Sequence, residues 1–322
     1  VFSKTLEQMR AAGEETRLRL LVLLAQGDLT VSELTRCLGQ LQPRVSRHLS
    51  ILVKAELVKP YQEGAWRFYR LADLPAWLSD LLAGLDGAEI AGVKEALSDI
   101  RKERAARGAD YFAVNAQSWD ELRRLHTGDA AIEEAILALA PAKTRRFADF
   151  GTGTGRMLTL FADRYGEAIG YDVSPEMLAV ARVRLEEAEL RHARVRQRDI
   201  LKPDQIAPES ADLVCLHHVL HFLAEPERAI ASAADALSAG GSLLVADFAP
   251  HLHEELRERF AHRRLGFSTE DLGAMASRAG LVICGEKCLE PETEDGLVSM
   301  IWRFDKASGR SRPSTQRISS YA

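Results

Sequence analysis

Arg146-Phe147-Ala148-Asp149-Phe150-Gly151-Thr152-Gly153-Thr154-Gly155 reads as a short buried strand that breaks into a glycine-rich turn. A helix over about Arg156 to Tyr165 follows at once. Three glycines at alternate positions let the backbone turn tightly and approach a ligand closely, because no Cβ stands in the way. The N-terminus of the next helix offers free N–H groups to a polar or anionic group. A second strand, Ala168-Ile169-Gly170-Tyr171-Asp172, ends in an acid 17 residues after Gly155. A carboxylate at that place in a βαβ unit suits the two hydroxyls of a ribose. The dinucleotide fingerprint G-x-G-x-x-G does not fit, since its third glycine falls on Arg156.

The spacing is instead G-x-G-x-G preceded by Asp149, which resembles the first motif of the class I methyltransferase fold. The resemblance continues downstream. Asp172-Val173-Ser174-Pro175-Glu176-Met177-Leu178 carries the Asp-x-Ser-x-x-Met-Leu pattern and opens a helix to about Glu187. Val195 to Ile200 reads as the third strand and Ala211 to Leu223 as the fourth strand, a loop and a helix. Ala239-Gly240-Gly241 turns into a fifth strand, Ser242 to Phe248, and Phe267 to Leu272 opens the last helix. Leu281 to Glu290 and Gly296 to Phe304 read as closing antiparallel strands. The resemblance implies a Rossmann-like sheet of seven strands with the last strand antiparallel. It also implies S-adenosylmethionine or S-adenosylhomocysteine as the cofactor. By the same resemblance the cofactor residues are Asp149, Gly151, Gly153, Gly155, the ribose acid Asp172, Met177 beside the adenine, Asp199 at the adenine amino group, and His217.

His217, His218 and His221 crowd the end of the fourth strand. Open α/β sheets bind ligands at that end. His218 or His221 is a candidate general base, because imidazole titrates near neutral pH. His217 and His221 form a His-x-x-x-His pair with no evident third ligand, so no metal site is expected. Asp247, ending the fifth strand, is a candidate for the substrate pocket.

The N-terminal module has a different grammar. Thr16 to Leu24 is an apolar helix stopped at Gly27-Asp28, and Thr30 with Glu33 has capping-box spacing for the next helix. Pro43 suits the first turn of a helix running to Ala55, with Val45, Leu49, Leu52 and Val53 on its apolar side. Arg44, Ser46, Arg47 and His48 lie on the other side. Two β-rich runs around Glu63-Gly64 then form a hairpin that carries Arg67 and Arg70. Helix, turn, helix and hairpin make a winged helix-turn-helix, whose second helix can enter a major groove. Thr16 to Leu21, Pro43 to Leu49 and Glu63 to Leu71 resemble the ArsR/SmtB family over about residues 3–85. That family implies a homodimer on palindromic double-stranded promoter DNA, with Arg44, Ser46, Arg47, His48, Arg67 and Arg70 toward the DNA. Glu56 stands where the family usually has glycine. The thiolate pair used by metal-sensing members is absent, since Cys37 is alone in its helix.

Composition agrees with this division. Residues 1–71 carry 11 Lys+Arg and 7 Asp+Glu, a net of +4, on a chain whose total is −5. A basic module on an acidic body places any polyanion at the module. Cys37, Cys215, Cys284 and Cys288 are too scattered for a disulfide framework. With no long apolar run, no membrane partner is expected and the location expected is the cytoplasm. The expected organisation is multidomain α/β: 1–85 winged helix-turn-helix, 86–140 connector with Tyr111, Phe112 and Trp119 as lid candidates, 141–304 methyltransferase-like, and 305–322 a disordered tail. The sequence leaves two functions open. The chain is a DNA-binding regulator whose second domain senses S-adenosylmethionine, or that domain methylates a small acceptor while the first gives autoregulation.

Overall fold

The computed structural model describes residues 2–63, 66–85, 90–104, 129–291 and 296–307. The lid candidates Tyr111, Phe112 and Trp119, the hairpin tip at Gly64 and the tail beyond residue 307 lie outside the described residues. The chain divides into two compact units. One gathers the described residues of 2–104 with 152–162 and 169–198, and the other gathers those of 129–151, 163–168 and 199–307.

The first unit opens with helices α1 (Phe2–Ala12) and α2 (Glu15–Leu24) and the two-residue strand β1 (Leu29–Thr30). It continues with α3 (Val31–Leu38), α4 (Gln42–Lys54), β2 (Val58–Glu63), β3 (Trp66–Leu71) and α5 (Ala76–Gly84). Each helix boundary has a local cause. The Glu14 carboxylate accepts the Arg17 N–H at 3.0 Å and starts α2. Thr30 and Glu33 close the expected capping box at the start of α3, and Gly39 ends α3 in the left-handed conformation at φ 61°. Pro43 occupies the first turn of α4. Leu20, Leu21, Leu34, Val45, Leu49, Leu52 and Leu57 are fully buried between these helices. Strands β1, β3 and β2 form a small antiparallel sheet with Tyr61 opposite Phe68 and Glu63 opposite Trp66. Residues 90–104 are helical (α6) and add Val93, Leu97 and Ile100 to the same core.

The remaining elements belong to the larger sheet. They are α7 (Asp129–Leu139), β4 (Thr144–Phe150), α8 (Arg156–Leu160), β5 (Tyr165–Asp172), α9 (Pro175–Glu187), β6 (Ala193–Gln197) and β7 (Ala211–His217). After them come α10 (Pro226–Ala236), β8 (Leu237–Phe248), α11 (Glu255–Arg259), α12 (Thr269–Arg278), β9 (Leu281–Leu289) and β10 (Ser299–Lys306). The sheet order is β6-β5-β4-β7-β8-β10-β9. Strand β7 runs parallel to β4 and β8, while β10 is antiparallel to both β8 and β9. The inner strands carry continuous apolar runs, with Phe147, Phe150, Leu213, Val214, Leu216, Leu243, Leu244 and Val245 fully buried, as expected of strands covered on both faces. Helix α8 is shorter than the expected Arg156 to Tyr165. The Arg164 carbonyl already accepts the Thr144 N–H at 2.7 Å, which commits the chain to the sheet before Tyr165.

Glu56 explains the glycine usual at its place. It follows α4 at φ 57°, a left-handed conformation that costs a residue with a Cβ. Its carboxylate pairs with Lys4 on the exposed surface, where such pairs contribute little. Glu56→Gly therefore raises the melting temperature by a few degrees despite losing the ion pair, a shift that thermal denaturation by circular dichroism reads directly.

Candidate cofactor and DNA-binding sites

All three loop glycines adopt positive φ: 75° at Gly151, 51° at Gly153 and 79° at Gly155. Their reasons differ. A Cβ on Gly151 would lie 2.4 Å from Val219 Cγ2, and one on Gly155 would lie 3.2 Å from Ala181 Cβ. A Cβ on Gly153 would meet nothing within 4 Å. Packing thus excludes a Cβ at Gly151 unless Val219 moves and leaves it tight at Gly155, whereas the middle position faces open space.

In the first unit the structure brings Gly153 and Asp172 together. Asp172 Oδ2 accepts the Gly153 N–H at 2.8 Å and Oδ1 accepts the Ser174 N–H at 2.9 Å. The carboxylate thereby fixes both the loop and the entry to α9. Ser174 caps α9 by accepting the Met177 N–H at 3.2 Å, and Met177 is half-buried one turn into the helix. In the second unit Asp149 is buried at the end of β4. Asp199 accepts the Leu201 N–H at 3.0 Å, and its own N–H donates to Gln205 Oε1 at 3.0 Å. His217 ends β7 with its ring 4.6 Å from that of His218.

His218 and His221 do not share one environment. His221 is 1% exposed, and its Nδ1 lies 2.7 Å from Asp247 Oδ1. Asp247 is fully buried and also accepts N–H groups from Leu220, His221 and Phe248. His218 is half-buried at φ 53°, with its N–H on the Ala246 carbonyl. The His262 ring lies tilted against that of His221 at 4.2 Å, and the His251 ring is 6.2 Å from that of Phe248. Burial, with His253 and His221 nearby, pulls His251 down to about 4. Sequence reasoning missed His251 and His262. They lie in the irregular segment after β8, which carries no periodicity, and only the density of histidines there hinted at them.

The DNA-facing candidates divide as well. Arg44, Arg47 and Arg67 are exposed and Ser46 is half-buried. His48 turns back toward Glu14, its Nδ1 3.3 Å from the carboxylate. Arg70 lies over the Tyr61 ring at 6.0 Å, and burial with Arg196 and Arg194 nearby lowers its pKa. Cys37 is buried in the helix core, and burial followed by Glu33 pushes its thiol up to about 11. A protonated thiol is a poor metal ligand.

One feature within the first unit has no signal in the sequence. Glu63, the last residue of β2, pairs with Arg182 of α9, and both side chains are buried. The Arg182 guanidinium also lies over the Phe68 ring at 4.5 Å. Burial opposes the charge on Arg182, but Glu63 outweighs it and the pKa is raised. Arg196 of β6 lies 3.5 Å over Tyr61 and 3.0 Å from Asp28, which also accepts the Tyr61 hydroxyl at 2.7 Å. Arg104 of α6 sits between Glu33 at 2.9 Å and Glu186 of α9 at 3.6 Å, and Arg101 holds Glu186 at 2.5 Å. The two acids respond differently. Burial raises Glu186 despite its arginines, while at Glu33 the Arg104 charge and hydrogen bonds overcome burial and lower it.

Two family models match the chain. Residues 14–59 match the family model described as "Bacterial regulatory protein, arsR family", and residues 148–245 match that described as "Methyltransferase domain". An uncharacterized HTH-type transcriptional regulator of Methanocaldococcus jannaschii is 42% identical over 73 residues, which are 22% of this chain and 82% of the relative. The arsenical resistance operon repressor of Escherichia coli is 35% identical over 83 residues, 25% of this chain and 71% of the relative. Demethylmenaquinone methyltransferase of Thermus thermophilus is 34% identical over 149 residues, 43% of this chain and 64% of the relative. Among solved structures, a chain from the complex of the Haloferax volcanii Trm112 methyltransferase activator with a methyltransferase superposes with a TM-score of 0.50. At 18% identity, over 64% of this chain and 98% of that one, the likeness is one of fold.

The glycine geometry separates two substitutions. Gly151→Ala must both hold a left-handed alanine and push Val219 aside, a loss of about 1–3 kcal/mol. Gly153→Ala carries the conformational cost alone. Urea denaturation should therefore show a distinctly larger drop for Gly151→Ala, and equal drops would contradict the packing described here.

Proposed function

The chain belongs to the arsR family of bacterial regulatory proteins, and on that premise we propose that it is a transcriptional regulator whose methyltransferase domain passes ligand occupancy to the DNA-binding wing. The domain's cofactor is S-adenosylmethionine, or its demethylated product S-adenosylhomocysteine. Asp149, Gly151, Gly153, Gly155, Asp172, Met177, Asp199 and His217 are the residues for it. Arg44, Ser46, Arg47 and Arg67 serve the phosphates and base edges of promoter DNA, with His48 and Arg70 in supporting positions. The protein acts in the cytoplasm as a homodimer. Apolar residues exposed on α1 (Phe2, Leu6 and Met9) and on α5 (Leu81) support a partner surface there.

The observation that carries this reading is the double duty of α9. Its first turn follows the Asp172–Ser174 hinge of the glycine loop, and its second half holds the wing through Arg182 and Glu63. Thirteen helical residues span about 20 Å. A ligand that reseats Asp172 moves the start of a rigid rod that grips β2 through Arg182, about two turns further on. Coupling of this kind shifts DNA affinity only by the ligand's differential affinity for two states.

Fluorescence anisotropy on promoter DNA, with and without saturating S-adenosylmethionine or S-adenosylhomocysteine, tests it. One ligand should move the dissociation constant about tenfold, near 1.4 kcal/mol. Arg47→Ala and Arg67→Ala should weaken binding in both ligand states. The double variant Glu63→Met/Arg182→Met removes the pair without leaving a buried charge, so it should keep DNA binding and shrink the ligand effect. If both ligands bind and the DNA isotherm never moves, the regulatory reading fails.

A second reading has its own observation. His221, oriented by Asp247, suits a residue on the acceptor side of a methyl transfer, with His218 beside it. In that case S-adenosylhomocysteine accumulates when acceptor candidates are supplied, and His221→Ala abolishes it.

A further inference from the structure

Six of the nine histidines of this chain fall between residues 217 and 262. The fold explains their meeting. Strands β7 and β8 are parallel neighbours with His217 opposite Ala246, so the residues just past β7 meet the end of β8. We propose that His218, His221 and Asp247 bind a first-row divalent transition-metal ion. One ligand atom from each residue lies within 4.8 Å of the others. Two of them, His221 Nδ1 and Asp247 Oδ1, are already 2.7 Å apart. That is close to the spacing of neighbouring ligands on an ion with bonds of about 2.0–2.2 Å. His218 closes the remaining distance by side-chain rotation. Binding replaces the proton shared by His221 and Asp247, which leaves to solvent.

The surroundings favour an ion over the hydrogen bond alone. Asp247 is wholly buried, and its side-chain partner among the described residues is His221, with no lysine or arginine paired to it. Buried carboxylates are paired with a cation or coordinate a metal. Three backbone N–H groups aim this one, as supporting hydrogen bonds aim metal ligands. Asp247 orients the ring through Nδ1, while the other nitrogen of His221, Nε2, is buried with no hydrogen-bond partner among the described residues. Rings of Phe222, Phe248 and His262 lie 4.1, 5.1 and 4.2 Å from that of His221, and Phe248 and His262 are themselves buried. Half-buried His218 leaves an approach from outside. Two imidazoles and one carboxylate suit zinc, cobalt, nickel or ferrous iron, whereas calcium and magnesium prefer oxygen ligands. Three protein ligands leave a coordination position open to water or a small molecule.

The test uses the full chain, stripped with a chelator and titrated with cobalt(II), then with zinc(II) as competitor. The expected result is one cobalt per chain with visible d–d absorption that zinc abolishes. His218→Ala, which leaves the buried His221–Asp247 pair intact, should weaken binding by about tenfold or more. His253→Ala, in the same segment but outside the triad, should bind as the unaltered chain does. Absence of d–d bands, or a His218→Ala variant that binds cobalt equally well, would overturn the proposal and leave His221 and Asp247 as a hydrogen-bonded pair only. The measurement needs neither DNA nor S-adenosylmethionine, so its outcome is independent of the regulatory reading.

Discussion

The buried pair between Glu63 and Arg182 is the constraint on which the first unit depends. Two charges taken out of water lose several kcal/mol of hydration each, and only close geometry with additional contacts offsets that loss. Here the added contacts lie on the arginine side, while Glu63 Oε2 is buried without a hydrogen-bond partner among the described residues. The guanidinium lies against Phe68, which stacks on Tyr61 at 5.4 Å. Arg196 covers the same Tyr61 and pairs with Asp28. The wing of a winged helix is ordinarily a two-stranded edge with one face to solvent, yet here arginines of α9 and β6 close that face. The result is a specific but conditional stabilisation. The paired state is tolerated, and a state with either partner alone is strongly disfavoured.

The same network redistributes the positive charge of the N-terminal module. Composition alone makes every arginine of the first 71 residues a DNA candidate. The structure withdraws Arg70 onto Tyr61, turns Arg17 onto the Ala11 carbonyl and ties Arg36 to Glu103 at 2.5 Å. Arg44, Arg47 and Arg67 keep their exposure. Of the arginines proposed to face DNA, the exposed ones therefore lie at the start of α4 and on β3. Arg36, although paired with Glu103, stays exposed.

What was legible in the sequence is what local rules govern. The capping box at Thr30, the left-handed glycines of the loop, the proline that opens α9 and the apolar inner strands all follow from residues a few places apart. The histidine density at the end of β7 was visible for the same reason. The partners Glu63 and Arg182 stand 119 residues apart, as His221 and Asp247 stand 26 apart, and no periodicity relates such positions. The sequence places Asp247 at the end of a strand, but its pairing with His221 depends on the parallel register of β7 and β8. Glu56 stands where a glycine is usual, and only its left-handed backbone angle gives the reason for that glycine. Long-range electrostatics and strand register are properties of the assembled fold.

The energetics of the buried pair also limit how any signal can travel. Separating Glu63 from Arg182 without replacement partners costs about 3–5 kcal/mol, while couplings between ligand sites commonly amount to about 1–3 kcal/mol. A ligand supplying the smaller quantity cannot drive a change that consumes the larger one. In a regulator built on this chain, the wing therefore does not detach from α9 when the ligand state changes. The pair survives in both states, and the wing moves with α9 as one body. The displacement must be absorbed where the backbone is cheap to turn, at the Asp172–Ser174 entry to α9 and at the left-handed glycines before α8. Reciprocity follows: DNA that favours one wing position must change the affinity at Asp172 by the same factor with which the ligand changes the affinity for DNA. A domain that only performs methyl transfer carries no such obligation.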